Sequence, residues 1–360
     1  DVAPSRGLGD VYKRQEQCAE YDVQAENAQL TRQDGSFQVV EGQTGEAVNV
    51  EESLNQIYEY LTNGWDYQDA SIDLVIDTTQ PKGNAEDLAK VKDVLGTYTT
   101  SYSTSGSARC KNVENGCRLI DGTTLYPGEE FSVGQTIGPL TAAGGYELAG
   151  AYENGQTVQS YGGGVCQVST TLYNAVLKAE LEVTQRSNHS MIVTYVKPSM
   201  DAAIAGDYKD LKFVNNLDAP IYIEGYTVGK DIYFNIYGQE TRPSNRKVTY
   251  ESEVVSEEDP GTQFVATGDA IGSISTTQGK HMGYVARLWK IVTVDGVEQS
   301  RDAINKSTYK SSPKIVNVGT ASADPNAVAA VNAALATGDE ATIYATVAQY
   351  SGAGQTPSEA

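Results

Sequence analysis

Apolar residues recur at helical spacing in several stretches of the chain. Leu54, Ile57, Tyr58 and Leu61 fall on one face of a helix that Asn49 can cap and Gly64 can end. Val165, Val168, Leu172, Val176 and Ala179 line one face of another, which starts directly behind Gly162-Gly163-Gly164. Asn84 heads a third pattern through Leu88, Val91 and Leu95, and a weak one from Asn112 to Ile120 is broken at Gly116. Asp324-Pro325 opens a helix with a thin stripe of Val328, Val331 and Leu335, and Ile343 and Val347 suggest a short helix after it.

Alternation of period two predicts strands at 28–30 and 36–40 around an Asp34-Gly35 turn, and at 71–77 with Pro81 behind it. Further strands are expected at 191–196, 211–214, 219–224 and 231–237, the last two joined through Gly229-Lys230. From Arg242 the character changes to Val-, Thr- and Tyr-rich runs at 247–256, 263–266, 284–294 and 314–318, with Gly and Pro between them and no helical spacing. One helix against several strands in the middle implies a mixed α+β unit, followed by an extended all-β module. The chain divides accordingly into 1–15, 16–98, 99–241, 242–320 and an Ala-rich tail, 321–360, that is partly helical and then too polar to fold from 351.

Composition narrows this picture. The length of 360 residues allows two to four domains with ample core. A net charge of -21 argues against nucleic acid or an anionic membrane surface as partner, because both need basic patches. Tyr 23 against Phe 5, with Gly 35, suggests a β-rich surface protein with many turns. No apolar run is long enough to span a bilayer. Residues 1–15 are basic in an acidic chain and resemble a translated adapter sequence, so they are set aside, and any secretion signal or membrane anchor is expected upstream. Four cysteines are too few for a disulfide scaffold, and without a Cys-x-x-Cys pair no metal site is expected. Cys110 and Cys117 in one straight helix would lie ~10 Å apart along its axis, so they can bridge only if the helix begins after Cys110. Cys18 has no visible partner.

The chemically suggestive stretch is Ser160-Tyr161-Gly162-Gly163-Gly164-Val165-Cys166-Gln167-Val168-Ser169-Thr170-Thr171. Glycines let a backbone approach a ligand closely. A cysteine in the first helical turn sits among unpaired N–H groups at the positive end of the macrodipole, where its pKa of about 8.5 can fall by one to several units. The plain alternative is a small buried apolar residue behind a tight turn.

The run from Gly162 to Ala175 resembles the signature of the VanW-like domain of bacterial cell-wall proteins. The resemblance continues upstream in Leu125-Tyr126-Pro127-Gly128-Glu129-Glu130-Phe131-Ser132 and Gly144-Gly145-Tyr146. Downstream it continues in Arg186-Ser187-Asn188-His189-Ser190, Tyr195-Val196, Asp201-Ala202 and Asp210-Leu211-Lys212-Phe213. The pattern of 16–98 resembles the YoaR-like peptidoglycan-binding domain found before such units, with Trp65 and Tyr67 able to stack on sugar or to serve as packing. Asp269-Ala270-Ile271-Gly272 and Ile315-Val316-Asn317-Val318-Gly319-Thr320 resemble a G-five domain, a β module linked to adhesion or amino-sugar binding, or a bare spacer.

Some VanW-like proteins are regarded as cysteine L,D-transpeptidases, so the resemblance implies an extracytoplasmic protein of a Gram-positive cell wall, acting on peptidoglycan stem peptides or on glycan, without metal or organic cofactor. A cysteine nucleophile needs a base and oxyanion donors. The chain holds only His189 and His281, and His281 reads as a loop residue, so Cys166 pairs with His189. Asp201 or Asp210 would orient the imidazole, with Asp201 preferred and either able to cap a turn instead. Gly163 and Gly164 shape the loop, and the amides of Cys166 and Gln167 are the candidate oxyanion donors. Tyr161, Ser169 and Arg186 are second-line candidates for substrate contact. The alternative is a non-catalytic wall protein with a structural Cys166, and a third option is a hydrolase using the same pair with water as acceptor.

Overall fold

The computed structural model describes residues 19–153, 156–206 and 208–351. The leader 1–15, Cys18 and the end of the tail, 352–360, lie outside the described residues. The protein is a mixed α+β, multidomain chain with a β-rich C-terminal region.

The N-terminal unit begins with the hairpin β1 (Gln29–Gln33) and β2 (Ser36–Val40), turned by Asp34 and Gly35 at φ 48° and 81°. Next come β3 (Gly45–Val48), α1 (Val50–Asn63) and β4 (Ile76–Thr79), which pairs antiparallel with β3. The Asn49 side chain accepts from the Glu52 amide, as expected of a cap. The strand expected from 71 starts only at Ile76, because its partner β3 is four residues long and the earlier alternation has no ladder to join. The helix expected from Asn84 to Leu95 stops early. α2 (Ala85–Leu88) is a single turn, and Leu95 lies in β5 (Asp93–Ser101). Val94, Thr97, Tyr98, Thr99 and Thr100 favour the strand, and a long partner strand is available to it. β5 also straddles the boundary placed at 98/99.

The central unit contains α3 (Ser107–Ile120), β6 (Thr123–Leu125), β7 (Glu130–Ser132) and α4 (Val133–Ile137). The hairpin β8 (Leu148–Glu153) and β9 (Gln156–Tyr161) leads into α5 (Val165–Lys178), followed by β10 (Glu182–Gln185), β11 (Lys212–Val214), β12 (Ile221–Val228) and β13 (Asp231–Gly238). The main sheet has the order β5-β13-β12-β6, all antiparallel. Its inward positions Ile221, Ile223, Ile232, Phe234 and Ile236 are fully buried against α3 and α5. Gly116 does not break α3. It is the point where α3 meets α5, where an added Cβ would press on Val168 at 3.3 Å. The other face of the sheet takes the N-terminal unit, where Phe37 meets Tyr222 and Tyr237 edge-on at 5.2 Å each. Because α3 starts at Ser107, Cys110 and Cys117 share one helix, and both are free thiols. The strand expected at 191–196 is irregular chain instead.

The C-terminal region forms two three-stranded sheets. β14 (Arg246–Glu258), β15 (Thr262–Ala270), β16 (Ile274–Gln278), β17 (Gly283–Val294), β18 (Val297–Tyr309) and β19 (Lys314–Ala321) pair in the orders β14-β17-β18 and β15-β19-β16. β15 and β19 run parallel. β16 and β18 carry polar residues on both faces and so gave no alternation to read. The tail helices α6 (Pro325–Thr337) and α7 (Glu340–Tyr350) close the second sheet, with Ala327, Val331, Ala334, Ile343 and Val347 packed on Val316 and Val318.

Candidate active site

The loop before α5 is built on backbone that only glycine can supply. A Cβ on Gly163 would meet the Ala149 carbonyl oxygen at 2.5 Å, and Gly164 caps α5 at φ 114°. Asn112 in α3 ties this loop down, donating to the Gly163 carbonyl at 3.0 Å and to the Glu147 carbonyl at 2.9 Å. Cys166 follows as the second residue of α5 and stays half-buried rather than sealed. Its Sγ donates to the Ile204 carbonyl at 3.4 Å.

The His189 imidazole faces that thiol as a hydrogen-bond partner. Its Nδ1 lies 2.6 Å from Asp201 Oδ2, which also accepts the His189 backbone N–H at 2.7 Å. The other carboxylate oxygen, Oδ1, accepts from Arg186 Nη2 at 2.9 Å and from the Tyr309 hydroxyl. Burial works against charge on Cys166, but the hydrogen bond and positive charge of His189 outweigh it and hold the thiol below its ordinary value. Burial likewise opposes the imidazolium, yet Asp201 and Cys166 together push His189 up to about 9. Asp201, despite its burial, is held below the usual carboxylate range by His189 and Arg186. The arrangement sets a thiol of lowered pKa against an imidazole of raised pKa, with a buried carboxylate behind it.

The hydroxyls of α5 have a different task from the one their position suggests. Ser169 Oγ donates to the Ala202 carbonyl at 2.6 Å, Thr170 Oγ1 accepts the Ala202 N–H at 3.0 Å, and Asn174 donates to the Met200 carbonyl at 2.8 Å. They fasten the segment carrying Asp201 along the helix. Ser169 is therefore fully buried and not a substrate contact. Arg186 is not one either, since its guanidinium is enclosed and committed to Asp201. Asp210 stands apart from the site. It accepts from Ser132 Oγ at 2.6 Å and the Gly134 N–H at 2.8 Å, capping α4. The Gln167 amide N–H is bonded to the Gly164 carbonyl at 2.9 Å and its side chain to Thr100, Ser101 and Arg109, so it is no oxyanion donor. The Gly163 and Val165 amides are also engaged, with Ser160 and Gly162, whereas the Gly164 and Cys166 N–H groups have no backbone acceptor among the described hydrogen bonds. Tyr161 is exposed at the end of β9.

Three residues that spacing did not single out as site residues belong here. The Tyr195 hydroxyl lies 3.5 Å from His189 Nε2 and senses the Cys166 charge, which with burial keeps the phenol protonated. Arg109 lies across Gly164 and donates to Gln167 Oε1 at 2.8 Å. Tyr309 comes from β18, 108 residues from Asp201 in sequence. Tyr195 lies in one of the stretches that resemble the VanW-like domain, whereas no periodic or motif signal marks Arg109 or Tyr309.

Residues 108–237 match the family described as "VanW like protein". The chain carries a VanW-like domain. Cys166, His189 and Asp201 all lie inside the VanW-like match, and Tyr309 lies outside it. Residues 15–68 match a second family, described as "Putative peptidoglycan binding domain". The uncharacterized protein YoaR of Bacillus subtilis (strain 168) is 30% identical over 203 residues, 56% of this chain and 66% of its own length. The vancomycin B-type resistance protein VanW of Enterococcus faecalis (strain ATCC 700802 / V583) is 28% identical over 118 residues, 31% of this chain and 42% of its own length. The chain thus spans less than two thirds of either relative. Two solved structures, the G5 domain of IgA1 protease and HP0197-G5, are similar at 24% and 20% identity, covering 21% and 20% of this chain and 92% and 99% of their own, with TM-scores of 0.15 and 0.12. Likeness at that level says nothing of function.

Proposed function

We propose that this is a cell-wall protein whose VanW-like domain performs acyl transfer on peptidoglycan stem peptides, as a cysteine L,D-transpeptidase working outside the cytoplasm. The observation that supports it best is the half-buried Cys166 thiol facing a His189 imidazole that Asp201 holds through Nδ1. The Cys166 thiolate attacks the carbonyl preceding a terminal D-alanine, and the developing oxyanion is met by the Cys166 N–H. His189 gives its proton to the departing amine, leaving a thioester on Cys166. The amine of a neighbouring stem then attacks the thioester, His189 takes its proton, and the sulfur leaves as thiolate. Attachment to glycan is assigned to the N-terminal unit, where Trp65 and Tyr67 lie exposed with ring centroids 4.9 Å apart.

The test is incubation of the protein with purified disaccharide-tetrapeptides and mass spectrometry of the products. Wild-type protein is expected to release D-alanine and form cross-linked dimer, and Cys166→Ala to do neither. D-alanine release without dimer would make it a hydrolase, and release by neither protein would overturn acyl transfer.

A further inference from the structure

From the contacts of β18 we infer that the C-terminal β region completes the active site, with Tyr309 as a positioning residue that fixes the Asp201 carboxylate. The inference rests on the acyl-transfer reading of Cys166 and His189. It concerns a residue outside the VanW-like match at 108–237.

Alternate residues of β18 point the same way, as strand geometry requires. Asn305, Ser307 and Tyr309 all face the segment that carries Asp201. Asn305 donates to the Ser199 carbonyl at 2.9 Å and the Tyr173 hydroxyl at 2.6 Å. Ser307 Oγ accepts from Arg186 Nη1 at 3.0 Å and lies 2.7 Å from Ser199 Oγ. Past them, the Thr308 carbonyl accepts from Asn188 at 2.9 Å and the Lys310 N–H donates to the Ser190 carbonyl at 2.8 Å. Asn188 and Ser190 flank His189, so the end of β18 grips both segments that hold the imidazole and its carboxylate.

The proton on Tyr309 has one place to go. Its oxygen already accepts the Ser199 N–H at 2.7 Å, and an ionised carboxylate can only accept. The phenol therefore donates to Asp201 Oδ1, and burial with the Asp201 charge keeps it protonated. Asp201 has no solvent exposure, so each of its four donors, two from His189, one from Arg186 and one from Tyr309, replaces a lost water. Deleting the phenol hydroxyl leaves Oδ1 short of a donor. The carboxylate then turns or takes up a proton, and in either case the imidazolium loses support and the thiolate forms less readily. The charged and titratable groups around this network are Cys166, Arg186, His189, Tyr195 and Tyr173, and none can replace a donor at Oδ1 without leaving its own partner.

The experiment compares wild type, Tyr309→Phe and Asn305→Ala in the full chain. It measures the pH profile of Cys166 alkylation by iodoacetamide, D-alanine release and thermal melting. Tyr309→Phe is expected to move the alkylation inflection upward by about one pH unit and to lower kcat about tenfold at unchanged KM, the loss of one hydrogen bond to a charged group. Asn305→Ala, which docks the strand without touching the carboxylate, is expected to lower the melting temperature and leave the inflection in place. Should Tyr309→Phe not fold, a fluorinated tyrosine at 309, a stronger donor, is expected to move the inflection downward. An inflection that neither change at 309 moves overturns the inference. A wild-type protein that alkylates like an ordinary thiol and transfers nothing overturns the acyl-transfer reading, a separate result.

Discussion

Two helices of the same length, α1 and α5, end in opposite circumstances. Both show an apolar stripe at helical spacing. On α5 the stripe is sealed, with Val168, Leu172 and Val176 at 0% exposure, and even its polar residues Ser169, Thr170 and Thr171 are fully buried. On α1 the stripe faces outward, with Leu54, Tyr58 and Leu61 at 43%, 71% and 51%. Periodicity tells which residues share a face. It does not tell what covers that face. The buried hydroxyls of α5 are the more informative departure, since Ser169 and Thr170 are satisfied by the segment that brings Asp201 to His189 and Thr171 by Thr100 of β5 and the Gln167 carbonyl.

The largest expected effect on this contrast is in the core of α5. Leu172→Ala should destabilise the protein by about 2–5 kcal/mol, read by denaturant unfolding, because the cavity has no route to collapse. A loss under about 0.5 kcal/mol, the range of surface substitutions, would mean that the central unit does not pack as described. Gly164→Ala comes next. Its Cβ would lie 2.7 Å from Arg109 Cγ at φ 114°, so about 1–3 kcal/mol of strain is expected, together with slower alkylation of Cys166 as the loop shifts.

A pH effect is more modest. His189 holds its proton more tightly in the fold, at about 9 against an ordinary 6.5. Its contribution to stability is therefore complete below 6.5 and is lost as pH rises through about 9. With only 2 histidines in the chain, an NMR titration can follow His189 directly, and Cys166→Ala should bring its pKa down by removing the thiolate. An unchanged value would mean that the two groups do not share a proton. The smallest effect belongs to α1, where Leu61→Ala should change stability by less than about 0.5 kcal/mol. Trp65→Ala should leave stability equally untouched yet weaken retention on purified glycan strands, and retention at the wild-type level would remove glycan stacking from the N-terminal unit.

Much of the site was legible in the chain. The glycines before Cys166 and the small number of histidines led to the thiol and the imidazole that the fold brings together. The choice between Asp201 and Asp210 was not legible, because both are acidic residues following His189 and either can cap a turn. Asp210 takes that capping task at α4, while Asp201 is carried inward by the hydroxyls of α5. Arg186, a second-line candidate for substrate contact, is instead enclosed with Asp201. The helix expected from Asn84 to Leu95, which holds only over Ala85–Leu88 and gives way to β5 at Asp93, shows the same limit, since a few apolar residues fit both periods until a partner strand selects one.

By itself the sequence determined what depends on near neighbours. The stripes of α1 and α5, the Asn49 and Asp324 caps, the Asp34-Gly35 turn and a cysteine in a first helical turn all follow from residues within a few positions of each other. Tertiary structure alone decided which carboxylate stands behind His189, that Ser169 and Gln167 are structural, and that Tyr309 reaches Asp201 across 108 residues. The reason is that local conformation is set by backbone sterics and side-chain spacing, whereas a buried carboxylate takes whatever donors packing brings to it, and those donors leave no period in the chain.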